Sequence, residues 1–248
     1  MTYDDYYRRH SSEFDTLRLD RDEEIRIMES IVKSKVAPSD GVILDVGCGT
    51  GRYAVPLVQN GYQVIGLDAS FQQLQNAPPE LRTVCSSCVQ IPLASHSICC
   101  VYTVLMIHQL QPSERKQFFS ECRRVLTNSG TLLIKTCSHN DLRKRPLSEY
   151  FPSSLGINMG RYPDIPEICL ELKAAGFTSP TVIPTHTQVA LDSDDLLRSI
   201  EKKHNTTLSL IPQEEFAHGV EMLRKAVGEM GTFVLDHYHT ILVASCEE

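Results

Sequence analysis

The stretch Val42-Ile43-Leu44-Asp45-Val46-Gly47-Cys48-Gly49-Thr50-Gly51 constrains this chain more than any other. Branched apolar residues read as a buried strand, glycines alternate directly after it, and residues 52–60 read as a helix. Glycines at such a junction let the backbone pass close to a bound ligand, and the helix start offers free N–H groups. Asp45 ends the apolar run, and Asp68 ends the next one, Gln63 to Leu67. An acid at the end of the second strand can accept hydrogen bonds from both hydroxyls of a ribose. The pattern therefore implies an α/β unit with a nucleoside site at its strand ends.

The rest of the chain extends this alternation. Residues 20–36 place Ile25, Met28, Ile31 and Val32 at helical spacing, with acids early and lysines late, as a helix dipole prefers. After Asp68 a helix is expected over 70–76, stopped by Pro78-Pro79, then strands at 83–85 and 97–104 and a helix at 113–126. Asn128-Ser129-Gly130 is read as a turn into a strand over 131–136. Nearly continuous apolar strands joined by helices imply a parallel sheet buried on both faces. Residues 138–162, with Pro146, Pro152, Gly156 and Gly160, read as a long loop. A helix at 164–175, a strand near 181–189, helices at 192–203 and 213–229, and a strand at 233–245 complete the chain. The expected architecture is a Rossmann-like α/β fold. Its seven-stranded, mostly parallel sheet carries helices on both faces, an antiparallel last strand, and a helical cap inserted between the last two strands.

Composition narrows the class. The 248 residues carry a net charge of -7, split as -3 over residues 1–40, +2 over 41–137 and -6 over 138–248. Nucleic-acid binders need a basic face; the one dense basic cluster, Arg143-Lys144-Arg145, has two readings, a phosphate contact or a solvated loop, and the loop is the expected one, so a nucleic-acid partner is disfavoured. No run of eighteen apolar residues occurs, so no membrane-spanning helix is expected. Residues 1–14 lack the apolar core of a signal peptide, so a cytoplasmic location is expected. The nine cysteines read as reduced small hydrophobes. Cys85-x-x-Cys88 has no second pair at zinc spacing, and no metal site is expected. Cys99 and Cys100 fall mid-strand, where alternation points neighbours to opposite faces.

The runs VILDVGCGTGRYA, VIGLDAS, IPL and ECRRVLTNSGTLLIKT together resemble the class I S-adenosylmethionine-dependent methyltransferases, of the small-molecule type, over residues 42–137 and more loosely 163–190. A dinucleotide-binding Rossmann domain would show G-x-G-x-x-G, whereas Gly51 follows Gly49 by two residues. The resemblance implies S-adenosylmethionine as cofactor, with Gly47, Cys48, Gly49 and Gly51 facing its methionine part and Asp45 steadying the loop. Asp68 would hold the ribose, and Ala69 and Ser70 would lie beside the adenine. Relatives carry Asp-Ala before Leu-Pro-Phe. Set against Ile91-Pro92-Leu93, that motif puts Ser87 at the Asp and Cys88 after it, replacing a charge by a hydroxyl. Thr103, near the end of the fourth strand, would approach the sulfonium. Tyr7 and Arg18 would belong to an N-terminal helical lid, residues 1–40, with Arg18 pairing with the cofactor carboxylate. The division expected is a single domain over 1–248, with a cofactor-binding core at 41–137 and a substrate cap at 138–162 and 191–231.

Acceptor-side candidates are fewer. His108, in MIHQL, sits where relatives carry a histidine near the reacting atoms and has the ordinary pKa of a general base. His139 follows the fifth strand, while His186, His237 and His239 read as strand residues. Tyr150, Phe151, Met159 and Tyr162 would line a substrate pocket with His139. The expected activity is methyl transfer to an oxygen or nitrogen of a small molecule. The rivals are a tRNA or protein methyltransferase, whose basic trough the acidic C-terminal third does not supply, and a non-catalytic cofactor-binding module.

Overall fold

The computed structural model describes residues 22–203, 205–228 and 231–246. Its elements, in chain order, are α1 (Asp22–Lys35), β1 (Val42–Val46), α2 (Ala54–Gln59), β2 (Gln63–Asp68), α3 (Phe71–Leu74), β3 (Arg82–Cys85), β4 (Ile98–Val104), α4 (Pro112–Val125) and β5 (Leu126–Thr136). There follow α5 (His139–Arg143), α6 (Ser153–Arg161), α7 (Ile165–Ala174), β6 (Thr181–Asp192), α8 (Ser193–Glu201), α9 (Gln213–Gly228) and β7 (Thr232–Ser245).

Seven strands form one sheet in the order β3-β2-β1-β4-β5-β7-β6. β1 pairs in parallel with β2 and β4, and β7 runs antiparallel to both β5 and β6. Alternation along β1 divides the core between the two faces. Leu44 and Val46 join Phe118, Phe119, Ile168 and Leu172 on the α4/α7 side. Ile43 joins Met28, Val32, Ala54 and Leu57 on the α1/α2 side. The strand order steps outward in both directions from β1 and β4, so their C-terminal ends border the crevice where open α/β sheets bind ligands.

Three expectations are corrected. Residues 138–162 are not a loop: α5 and α6 form there, joined by a short 3₁₀ turn at Pro146–Glu149. Ser138 caps α5 by accepting from the Asp141 N–H, and Ser153 at the start of α6 donates through N–H and Oγ to Glu215, each at 2.9 Å. β5 begins at Leu126, which pairs with Ile98, five residues ahead of the expected start; its pairing with β4 resumes at Thr131 opposite Cys100, so residues 127–130 are an irregularity within the strand. Finally, the register shifts between Ile98 and Cys100. Cys99 and Cys100 therefore lie in the same core cluster, on the α1/α2 side, while Ile98 and Val101 face the other way.

Residues 138–235 also build a second core. Phe151, Leu196, Ile200, Leu208, Leu223 and Val227 pack with Val189, Leu191 and Leu235 from the extended ends of β6 and β7. Gly219 of α9 allows this contact, since a Cβ there would stand 2.4 Å from the Tyr150 carbonyl oxygen. Among the described residues no helix is long and apolar enough to cross a membrane.

Candidate cofactor cleft

The β1–α2 turn folds back over the end of β2. Gly47 N–H and Cys48 N–H both donate to the Leu67 carbonyl, at 2.7 and 3.1 Å, and Gly51 N–H donates to Cys48 at 2.8 Å. This path needs glycine at two places in particular. Gly47 has φ +76° and would put a Cβ 2.8 Å from Met106 Cγ. Gly51 has φ +84° and would put one 2.4 Å from Leu81 Cδ2.

The turn fixes Asp68. Its Oδ2 accepts from Gly49 N–H and its Oδ1 from Ser70 N–H, both at 2.8 Å. Each carboxylate oxygen retains a lone pair for a ligand. Burial raises the Asp68 pKa, and the N–H bonds from Ser70, Gly49 and Ala69 oppose the rise. Asp45 lies deeper, 2% exposed, accepting from the Tyr102 hydroxyl at 2.9 Å. Burial lifts its carboxyl to about 7 against that hydrogen bond, with help from the negative charge of Asp68. Burial, then Asp45 and Asp68, push the Cys48 thiol far above its ordinary range, so it stays protonated.

These groups wall a cleft of about 520 Å³, within the usual range for small-molecule and cofactor sites. Of the residues singled out by sequence, Asp45, Gly47, Cys48, Gly49, Asp68, Ala69, Ser70, Ser87 and Cys88 line it. Gly51 supports the turn from behind. Thr103 does not line the cleft: it is fully buried, and its hydroxyl has no partner. Tyr7 and Arg18 lie outside the described residues. The cleft also takes residues that sequence reasoning missed, among them Thr50, Tyr53, Gln73, Ser86, Leu105 and Met106. Gln73, 1% exposed, has both amide atoms unpartnered among the described residues, which is uncommon for a buried polar group. Its signal was one of spacing: Ser70 caps α3 by accepting from Gln73 N–H, so a Ser followed three residues later by Gln marked the turn.

The acceptor-side candidates gather elsewhere. His108 sits in a 3₁₀ turn (Ile107–Gln109), outside the lining of the cleft, with its ring stacked on Tyr162 at 4.1 Å. Burial lowers its pKa well below 6.5, and the charges of Arg161 and Arg145 add to this, so the imidazole is neutral. Tyr162 and Met159 pack with Cys137, Leu142 and the cleft residue Leu105. A His139 ring nitrogen lies 2.9 Å from the Tyr162 carbonyl. Phe151 does not line the cleft; it is fully buried in the second core, with Tyr150 packed against the same cluster. Among the described residues no group of three or more His, Cys, Asp or Glu side chains is arranged to hold a metal ion.

Comparison with known proteins agrees with this geometry. Residues 44–134 match the family model of the methyltransferase domain. An uncharacterized methyltransferase of Synechocystis is 31% identical over 123 residues, 48% of this chain and 55% of its own length. One from Alkaliphilus oremlandii is 29% identical over 110 residues, 43% of this chain and 50% of its own. The chain thus spans about half the length of these curated relatives. Among solved structures, a protein of Anabaena variabilis provisionally named as a methyltransferase of an antibiotic biosynthesis pathway superposes with TM-score 0.67 at 23% identity. That match covers 91% of this chain and 98% of the other. Phosphoethanolamine N-methyltransferase 2 of Haemonchus contortus gives TM-score 0.60 at 17% identity, over 100% of this chain and 60% of its own. These structures share the fold.

Proposed function

We propose that this chain is a class I methyltransferase that binds S-adenosylmethionine in the cleft and transfers its methyl group to a small-molecule oxygen or nitrogen, a reading supported by the match of residues 44–134 to the methyltransferase-domain family model. The observation that carries this reading is Asp68, pinned through both oxygens to Gly49 and Ser70 at the cleft wall. A carboxylate so oriented suits the vicinal hydroxyls of a ribose. The unpartnered Gln73 amide and the Ser86–Cys88 segment supply polar and apolar wall for the nucleoside. Gly47 and Gly49 bring bare backbone to the cleft wall for the amino-acid part.

When bound, the cofactor supplies an already activated methyl group. The protein's work is then to orient the acceptor and exclude water. In this reading α5, α6, α8 and α9 are the substrate cap, with α5 following β5 directly and α8 and α9 packed on the extended ends of β6 and β7. His108, neutral and set behind the cleft wall, is better suited to donate or accept a hydrogen bond than to carry a proton away. We therefore assign the reaction no protein base: an amine or an ionised oxygen attacks unaided.

A small acceptor is favoured by the net charge of -6 over residues 138–248, which repels the phosphates of a polynucleotide. Incubation with methyl-labelled S-adenosylmethionine tests the reading. Label should pass into a small-molecule extract and not into total tRNA or protein; label in tRNA would replace it with a macromolecular acceptor.

A further inference from the structure

We propose that Arg145 and Arg161 form a head-group site for an anionic acceptor, a small organic acid whose carboxylate or phosphate lies against the two guanidiniums. The proposal rests on the methyltransferase reading for the acceptor's role, though not for the existence of the anion site.

Both arginines stand beyond the C-terminal ends of β4 and β5. Arg145 follows α5, and Arg161 is the last residue of α6. Among the described residues their contacts are all with uncharged groups. Arg145 Nη2 donates to Cys137 Sγ at 2.9 Å, and its guanidinium lies 5.8 Å from the centre of the Tyr162 ring. Arg161 Nη1 donates to the hydroxyls of Thr206 and Thr207, at 3.1 and 3.3 Å. Among the described residues neither forms an ion pair. The contrast within the same chain is sharp. Arg115 is held by Glu167 and Glu171, and Arg124 by Glu121. A guanidinium carries five donors in a fork that matches a carboxylate or phosphate, and among the described residues those of Arg145 meet only Cys137 and Tyr162 while those of Arg161 meet only the Thr206 and Thr207 hydroxyls.

A second observation is independent of the charges. His108 Nδ1 and Thr136 Oγ1, both buried, have no hydrogen-bond partner among the described residues. Native interiors rarely leave such atoms unpaired unless a ligand or water completes them. Thr136 is the last residue of β5, and His108 stacks on the same Tyr162 that faces Arg145. The neutral imidazole offers polar contact without adding a third positive charge. Leu105, held at φ +50°, is a wall of the cofactor cleft on one side and packs against Cys137 and Tyr162 on the other. Among the described residues Leu105 is thus the one side chain that both places share, and the proposed acceptor reaches the cofactor past it.

Calorimetric titration with benzoate and with inorganic phosphate, each in the presence and absence of S-adenosylhomocysteine, tests the proposal. At least one probe should bind the wild-type protein saturably, and which one binds identifies the head group as carboxylate or phosphate. R145Q and R161Q should each weaken that probe about tenfold or more, with S-adenosylhomocysteine affinity held within threefold. R145K, which keeps the charge and loses the fork, should fall between wild type and R145Q; it also serves if R145Q fails to fold. Saturable binding of neither probe overturns the proposal. So does an equal loss of S-adenosylhomocysteine affinity in the variants, which would assign the arginines to the cofactor. Failure of S-adenosylhomocysteine to bind the wild type overturns the methyltransferase reading instead, and the probe titrations without it still decide the anion site.

Discussion

Asp45 gives the chain a pH dependence that can be worked through from its surroundings. The side chain is 2% exposed and accepts a hydrogen bond from the Tyr102 hydroxyl, while the charge that acts on it is the negative one of Asp68. Its carboxyl rises from an ordinary 3.8 to about 7. Between those limits the native state holds a proton that the unfolded chain has released, so stability falls as pH rises through the window. At about 1.4 kcal/mol per tenfold change in proton affinity, the full penalty above pH 7 is on the order of 4 kcal/mol. Asp45→Asn removes the titration while keeping an oxygen to accept from Tyr102. Urea unfolding of both proteins at pH 4.5, 6 and 8 reads the result, since other groups cancel in the difference. The variant's stability relative to wild type should grow by about 2–4 kcal/mol from pH 4.5 to pH 8. A difference that stays flat with pH would refute the buried-carboxyl argument.

Three further outcomes follow from the packing and the cleft. Glu24 and Lys135, each 2% exposed, pair in the interior, with His237 Nδ1 2.6 Å from Glu24; burial raises the Glu24 pKa, yet His237, His239 and Lys135 together hold it below the carboxylate range. Glu24→Gln leaves Lys135 charged without its partner and should cost about 3–5 kcal/mol in urea unfolding; a loss under 1 kcal/mol would show that the pair contributes little. Gly219→Val drives a side chain onto the Tyr150 carbonyl and Phe151 ring, so thermal unfolding should show a loss of about 1–3 kcal/mol while S-adenosylhomocysteine affinity changes less than threefold; unchanged stability would mean α9 is free to move away. Ribose hydroxyls donate to the ionised form of Asp68, whose pKa burial raises, so S-adenosylhomocysteine affinity should decline as pH is lowered through that pKa; an affinity that improves on acidification would contradict the assignment.

The glycine turn, Asp45 and Asp68 were legible in the sequence because they are local: a strand, its turn and the next strand end follow one another along the chain. Gly66 was not. Its lack of a side chain matters only because Cys48 Sγ of the overlying turn would stand 2.7 Å from a Cβ there, a contact between neighbouring strands' ends. The helices α5 and α6 were hidden for a related reason. Two prolines and two glycines weaken the local preference, while Glu215, which takes up Ser153, and Thr207, whose hydroxyl donates to Asn158 at 2.6 Å, lie some fifty residues and more downstream. Phe151 looked like pocket lining as an aromatic in a polar stretch, and became core because α8 and α9 fold over it. The bulge at Cys99 defeated simple alternation, which has no means of counting an extra residue.

Titration of S-adenosylhomocysteine into the wild-type protein and Asp68→Asn tests the central claim most directly. Asparagine removes the charge and sets an amide group against N–H donors that the carboxylate accepted. Wild type should bind with one-to-one stoichiometry, and the variant should bind about 10- to 150-fold more weakly, the loss of one charge-assisted hydrogen bond. Absence of binding by the wild type, or equal binding by the variant, would contradict the assignment of this cleft.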